Sequence, residues 1–222
     1  MKDLFDNSQN DSSKNDELIK AIHIPNVNSS NLRENESRAL SIVGSSRNNG
    51  ERESADFYPT PPYVVEELLK RENFSGNIWE CACGDGAISK VLIEKGYQVR
   101  STDLYDRGYG ISGIDFLHNG MDDCDNIITN PPFKLTLEFI LQAKKQCKNK
   151  IALFEKTVLL DSARRYDMFT DQEFPLKCIY QFCKRVQLCK SGVKMKNGGM
   201  ISYAWFVWDS AHTGEPMIRW IK

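Results

Sequence analysis

Apolar positions along this chain fall into short runs at two spacings, one suited to helices and one to strands. Val64, Val65, Leu68 and Leu69 recur at helical spacing and predict an amphipathic helix. Thr60 can cap it, and Pro61 suits its first position. Residues 77–81, Asn-Ile-Trp-Glu-Cys, then read as a strand, residues 82–86 as a Gly-rich turn, and residues 87–95 as a helix closed by Gly96. Residues 97–103 make a second strand that ends in an acid, Asp103. Gly113-Ile114-Asp115-Phe116 is expected to be the end of a short third strand, and residues 126–129 a buried fourth. Leu137, Ile140 and Leu141 mark a helix over residues 135–147. Strands follow at 151–155, 177–186 and 202–208, with a short helix at 162–169 and an edge piece at 217–221. Strands alternating with helices predict an α/β domain: a mostly parallel sheet of seven strands with helices on both faces.

The first 54 residues break this pattern. They are rich in Asn, Ser, Glu and Asp, and only Asp16 to Ile24 has enough apolar content for a short helix or strand. Two readings stand: a disordered tail, or an arm that docks on the domain or on a partner. The folded domain is expected to run from residue 55 to 222. A chain of 222 residues supports one sizeable α/β domain. Its net charge of −1 favours neither nucleic acid nor membrane in bulk, so any basic surface must be local. No apolar run approaches the roughly 20 residues that span a bilayer, and a cytoplasmic setting without membrane partners is expected. The seven cysteines are irregularly spaced, with no CxxC and three scattered histidines, so they are expected to be reduced thiols and no metal site is expected.

The chemistry concentrates at two strand ends. Gly84 and Gly86 let backbone pass close to a ligand where a Cβ would collide. Asp103 lies about 20 residues beyond Gly84, the spacing of a ribose-binding acid. The full G-x-G-x-x-G fingerprint is not met, because Ser89 stands at its third glycine. Glu80 and Asp85 flank the turn; two acids repel a pyrophosphate and suit a cationic, hydroxyl-bearing ligand. That favours S-adenosylmethionine, which carries a sulfonium, an ammonium and a ribose, over a dinucleotide. The second strand end is Thr129-Asn130-Pro131-Pro132-Phe133. A prolyl pair cannot continue a ladder, so an amide, unpaired carbonyls and an aromatic ring gather where open α/β sheets bind ligands. A strand-ending Asn-Pro turn with a core Phe is the plainer reading of the same residues.

Glu80-Cys81-Ala82-Cys83-Gly84-Asp85-Gly86 and Asn130-Pro131-Pro132-Phe133 resemble the cofactor and catalytic motifs of the class I S-adenosylmethionine-dependent amino-methyltransferases. They are most similar to those of small phage and prophage N6-adenine DNA methyltransferases, over residues 56 to 222. The resemblance implies a Rossmann-like class I methyltransferase fold. It implies catalytic roles for Asn130, Pro131, Pro132 and Phe133. It places cofactor contacts at Tyr58, Thr60, Glu80, Cys81, Ala82, Gly84, Asp85, Gly86, Asp103, Leu104, Asp115 and Phe116. The order, cofactor motif first, is that of the gamma arrangement. The separate target-recognition domain of the family is missing, which implies short or relaxed sequence specificity.

The Asn-Pro-Pro-Phe motif suits planar amino targets. The Asn130 side-chain oxygen and the Pro131 carbonyl can accept both N–H groups of an amine, and Phe133 can stack on the target. Relatives use the motif on adenine, on guanine of ribosomal RNA and on glutamine of release factors. Phe133 fits a base better than a glutamine, for which Tyr is usual. The expected activity is therefore adenine N6 methylation in DNA, the alternatives being an RNA base, a protein glutamine, or a quiet nucleic-acid-binding module. Lys184, Arg185, Lys190, Lys194 and Lys196 lie on a Gly-rich stretch without acids, and Arg164 and Arg165 follow the fifth strand. They are read as phosphate contacts or, more plainly, as solvated surface.

Overall fold

Pro61 and Pro62 open the first helix, α1 (Pro62–Leu69), and Val64, Val65 and Leu68 on its inner stripe are fully buried. No side chain caps its N-terminus; the Thr60 hydroxyl is engaged with Asn130 instead. There follow β1 (Ile78–Glu80), α2 (Ala87–Glu94), β2 (Val99–Ser101), β3 (Cys124–Thr129), α3 (Thr136–Gln146) and β4 (Cys147–Lys156). Two 3-10 turns (Thr157–Leu160 and Ala163–Arg165), α4 (Tyr166–Thr170), β5 (Leu176–Phe182), β6 (Tyr203–Asp209) and β7 (Met217–Ile221) complete the order. The computed structural model describes residues 57–118, 123–188 and 201–222. The first 54 residues, with the arm expected there, and Lys190, Lys194 and Lys196 lie outside the described residues.

The sheet order is β2-β1-β3-β4-β6-β5-β7. The β1–β2, β1–β3, β3–β4 and β5–β7 pairs are parallel, and β6 runs antiparallel to both β4 and β5. Helices α1 and α2 cover one face with Ile128, Phe154, Trp205 and Val207; α3 and α4 cover the other with Ile127, Leu153, Phe206 and Trp208. The β6 run is apolar from Tyr203 to Trp208 because its residues alternate between two buried faces. This is the doubly covered α/β sheet that the pattern predicts, but its seven strands are not the seven expected. Residues 113–116 form no strand: Gly113 has φ +78, and the Asp115 carboxylate accepts the Leu117 N–H in a turn. All that remains of a third strand is an isolated bridge between Thr102 and Ile111. The edge piece instead becomes β7, parallel to β5 at the opposite edge. The strand expected over 177–186 ends at Phe182.

A buried ion network ties the segment after α1 to the ends of β4, β5 and β6 that lie away from the Asn-Pro-Pro turn. Glu72, 3% exposed, accepts Lys150 Nζ (2.8 Å), Lys177 Nζ (2.9 Å) and the Tyr180 hydroxyl (2.7 Å). Asp209 closes it against Lys177 at 3.2 Å. Among the described residues no helix is long and apolar enough to cross a membrane.

Candidate active site

At the carboxyl end of β3 the chain leaves the ladder at Asn130, and a Leu135 N–H to Pro132 carbonyl bond (2.8 Å) closes the turn ahead of α3. The Asn130 amide is held from the far side of the sequence. Its Nδ2 donates to the Tyr58 carbonyl and to the Thr60 hydroxyl, both at 3.0 Å. A backbone carbonyl only accepts, so the nitrogen must face Tyr58 and Oδ1 must point away. Among the described residues no donor reaches Oδ1 or the Pro131 carbonyl. The two acceptors expected at this turn are thus both available, and one is locked in orientation.

Phe133 is half-buried beside them. Tyr58 stacks on it at 6.1 Å, Tyr203 tilts against it at 5.9 Å, and the Lys156 ammonium lies over its ring at 4.3 Å. Tyr203 and Lys156 are register partners where β6 begins and β4 ends. Neither was expected at the site. Tyr203 opens a run whose alternation reads as core, and Lys156 lies one place beyond the fifth strand read from the sequence. Glu155, 2% exposed, accepts the Thr136 hydroxyl, which is also 3.1 Å from the Phe133 carbonyl. Burial pushes its carboxyl up to about 8, against the pull of Thr136 and the Lys156 N–H.

The Gly-rich turn is built as the residue types require. Gly84 (φ +55) and Gly86 (φ +79) occupy left-handed backbone, with Gly86 immediately ahead of α2. A Cβ on Gly84 would collide with the Phe57 ring, and one on Gly86 with the Tyr109 ring. Arg107 packs over Phe57 at 4.3 Å and Tyr105 at 5.6 Å. Phe57 belongs to the Phe57–Pro61 segment that the resemblance places beside the cofactor; Tyr105, Arg107 and Tyr109 carry no motif signal and were missed in the sequence. Asp103, 7% exposed, accepts the Gly84 N–H and the Tyr105 N–H, both at 2.8 Å, so it locks the turn to the end of β2. Each carboxylate oxygen keeps a lone pair for a further donor.

Glu80 was expected to face the ligand, and the structure turns it inward. At 1% exposed it accepts the Ser89 N–H (2.8 Å) and the Ser89 hydroxyl, which is why a serine serves where the dinucleotide fingerprint has glycine. Burial pushes Glu80 up to about 8, and the Asp103 and Asp85 carboxylates push the same way. Burial lifts the Cys83 thiol to about 12, again with help from Glu80, Asp103 and Asp85. Burial is the larger cause of both shifts; the negative charge over the turn comes from the Asp103 and Asp85 carboxylates, which add to each.

The remaining expected cofactor contacts divide. Asp85 stays half-buried, accepting the Ala87 N–H at 3.2 Å, and Leu104 is 47% exposed beside Asp103. Ala82 is half-buried, and Cys81 is packed in the core with Trp79 and Ile127. Phe116 is also core, 2% exposed between Trp79 (5.1 Å) and Phe139 (5.0 Å), so its ring is closed to a ligand. Asp115 pairs with His118 at 2.8 Å; burial pushes its carboxyl up, but His118 and the Leu117 N–H outweigh this and hold it below the usual range. Among the described residues no cluster could hold a metal ion. Of the basic residues, Arg164, Lys184 and Arg185 are exposed, whereas Arg165 donates to the Val158 carbonyl at 3.0 Å and braces its own turn.

No family model matches this chain, and no curated protein matches it significantly. Many solved structures share its fold. A candidate RNA methyltransferase of Pyrococcus horikoshii is 14% identical, with a TM-score of 0.55 over 78% of this chain and 97% of its own. A candidate class I S-adenosylmethionine-dependent methyltransferase of Listeria monocytogenes is 16% identical, with a TM-score of 0.53 over 87% of this chain and 74% of its own. The modification subunit of a candidate type I restriction enzyme of Vibrio vulnificus is 16% identical, with a TM-score of 0.52 over 93% of this chain; the chain spans only 55% of that subunit. The fold is thus the Rossmann-like class I methyltransferase fold.

Proposed function

We propose that this chain transfers a methyl group from S-adenosylmethionine to the exocyclic N6 amine of adenine in DNA, with short or relaxed sequence specificity. The observation that carries the reading is the Asn130 amide, pinned through its nitrogen so that its oxygen is presented beside the Pro131 carbonyl. The adenine amine is a poor nucleophile because its lone pair is delocalised into the ring. Two fixed acceptors on its N–H groups favour the pyramidal form on which positive charge develops, which is differential transition-state binding. Phe133, flanked by Tyr58 and Tyr203, offers an aromatic surface that keeps a planar target in line. A target within a duplex has to be flipped out to reach this strand end.

The residues at the Gly-rich turn fit the cofactor. The negative field suits a sulfonium and an ammonium, Asp103 can accept ribose hydroxyls, and Gly84 and Gly86 present backbone without a Cβ. When bound, S-adenosylmethionine would supply an electrophilic methyl to the amine held by Asn130 and Pro131, leaving as the neutral thioether, and the methylated amine would give its proton to solvent. Transfer from labelled cofactor to DNA, RNA and protein tests the proposal, with methylated positions mapped in DNA from expressing cells. Label at adenine N6 in DNA is expected; label only in RNA or protein overturns the DNA assignment.

Asp103→Asn is expected to weaken cofactor binding by about 1.5–3 kcal/mol, the cost of a lost charge-assisted hydrogen bond. The Gly84 and Tyr105 N–H groups meet different carboxylate oxygens, so the asparagine keeps an acceptor for one of them and alanine for neither. Calorimetry on a variant with a normal melting profile checks this, and an unchanged affinity removes Asp103 from the ribose. Replacing Lys190, Lys194 and Lys196 together by Ala is expected to flatten the salt dependence of DNA binding by about 2–3 units of log–log slope on duplex DNA. Cofactor affinity serves as the control, and coincident slopes would mean that this stretch is solvated surface.

A further inference from the structure

The position of Lys156 is unusual for a lysine at a strand end. It is half-buried at the last residue of β4, and its ammonium lies 4.3 Å from the centre of the Phe133 ring. Among the described residues it forms no ion pair. The carboxyl of its chain neighbour Glu155 is directed into Thr136 and the Lys156 N–H and is pushed up to about 8 by burial. Thr129 pairs with Leu153 in the parallel β3–β4 ladder, so Lys156 lies beyond that level, at the edge where Asn130 emerges. A cation over an aromatic face is attracted by the ring quadrupole, and the stem of a lysine packs readily along apolar surface. A planar target stacked on the ring face that Nζ covers would displace the ammonium.

We propose that Lys156 is the phosphate seat of this site: it covers Phe133 until a target base displaces it, and then pairs with the backbone phosphate beside the flipped nucleotide in DNA. The inference rests on the nucleic-acid reading above and deepens it, because it ties recognition to a ring that carries a neighbouring anion. A protein glutamine offers neither the ring nor the anion. The displaced ammonium has a flexible stem, and Lys134, exposed next to Phe133, adds positive charge on the approach. A single point charge positions the backbone without reading sequence, in keeping with relaxed specificity.

The test is DNA binding across a salt series for the wild type, Lys156→Met and Lys156→Arg, with cofactor calorimetry as the control for folding. Methionine keeps a stem of similar length over the ring and removes the charge; arginine keeps the charge. Lys156→Met is expected to bind DNA roughly tenfold more weakly at low salt. Its log–log salt slope should fall by about 0.9 on duplex DNA and about 0.7 on a single strand, the signature of one lost phosphate contact. Lys156→Arg should keep the wild-type slope. A merely structural role in the aromatic cluster would lower stability without changing the slope. Wild-type binding with coincident slopes for the wild type and Lys156→Met overturns the phosphate seat alone. Failure of the wild type to bind DNA at any salt overturns the nucleic-acid reading itself.

Discussion

Asn130→Ala is expected to leave cofactor affinity unchanged and to lower methyl transfer by roughly 10²–10³, the cost typical of removing one preorganised transition-state hydrogen bond. The expectation follows from how the amide is held. Its nitrogen is engaged by the Tyr58 carbonyl and the Thr60 hydroxyl, so the orientation of Oδ1 is set before a target arrives. An acceptor that need not reorganise stabilises developing charge more than a mobile one does, and alanine removes it outright. The Pro131 carbonyl remains and accounts for residual transfer. The Gly-rich turn is built from Gly84, Gly86 and Asp103, none of which contacts Asn130 among the described residues; Tyr58 and Thr60, expected beside the cofactor, meet the amide only through a backbone carbonyl and a hydroxyl, and both stay in place when it is removed. The measurement is single-turnover methyl transfer beside calorimetric cofactor affinity, on protein with a wild-type melt. Near-normal transfer would rule out the amide as the group that activates the amine.

Glu72→Ala is expected to lower folding stability by about 3 kcal/mol, the lower end of the ~3–5 kcal/mol range for breaking a buried ion pair. Glu72 is almost fully buried, so the charge left behind matters more than the charge removed: Lys150 and Lys177 would share only Asp209. Their side chains are 18% and 25% exposed and can partly turn to water, which argues for the lower end. Urea unfolding should show a reduced midpoint at unchanged slope. The pH dependence has a definite sign. Burial pushes the Glu72 carboxyl up, but the bonds from Lys150, Lys177 and Tyr180 outweigh it and hold it below the usual range. Its contribution is therefore complete at neutral pH and is lost as pH falls below about 4.5 through the folded value. A variant that unfolds at the wild-type urea concentration would show that the network contributes nothing net.

Much of the architecture was legible because burial on two faces leaves a plain signature. The β6 run and the apolar core of β3 could hardly be anything but central strands. The third strand was misjudged because Ile114 and Phe116 on either side of Asp115 read equally as strand or turn, and a positive φ at Gly113 decides for the turn. At the site, Asn130 and Asp103 were legible because each closes a strand, where side chains are released from the core. Their supports were not. The Asn130 anchors lie 70 and 72 residues away in the chain, and Thr60 looked like a helix cap because it precedes two prolines. Glu80 was placed at the ligand because sequence spacing cannot tell which way an acid beside a turn points; Ser89 decides it. Lys156 and Tyr203 came together through an antiparallel register that local periodicity does not encode.

The rings packed on Gly84 and Gly86 bear on how any affinity for this turn should be interpreted. A ligand seated where a Cβ on either glycine would stand would have to move Phe57 or Tyr109 first, and Phe57 is held in turn by Arg107. The ring-open form is then the binding-competent conformer, and the measured dissociation constant is the intrinsic one divided by the population of that form. Two ligands with identical contacts in the open turn would suffer the same reduction. Affinity differences between cofactor analogues would therefore report their contacts faithfully, whereas the absolute affinity would also report how readily the rings part.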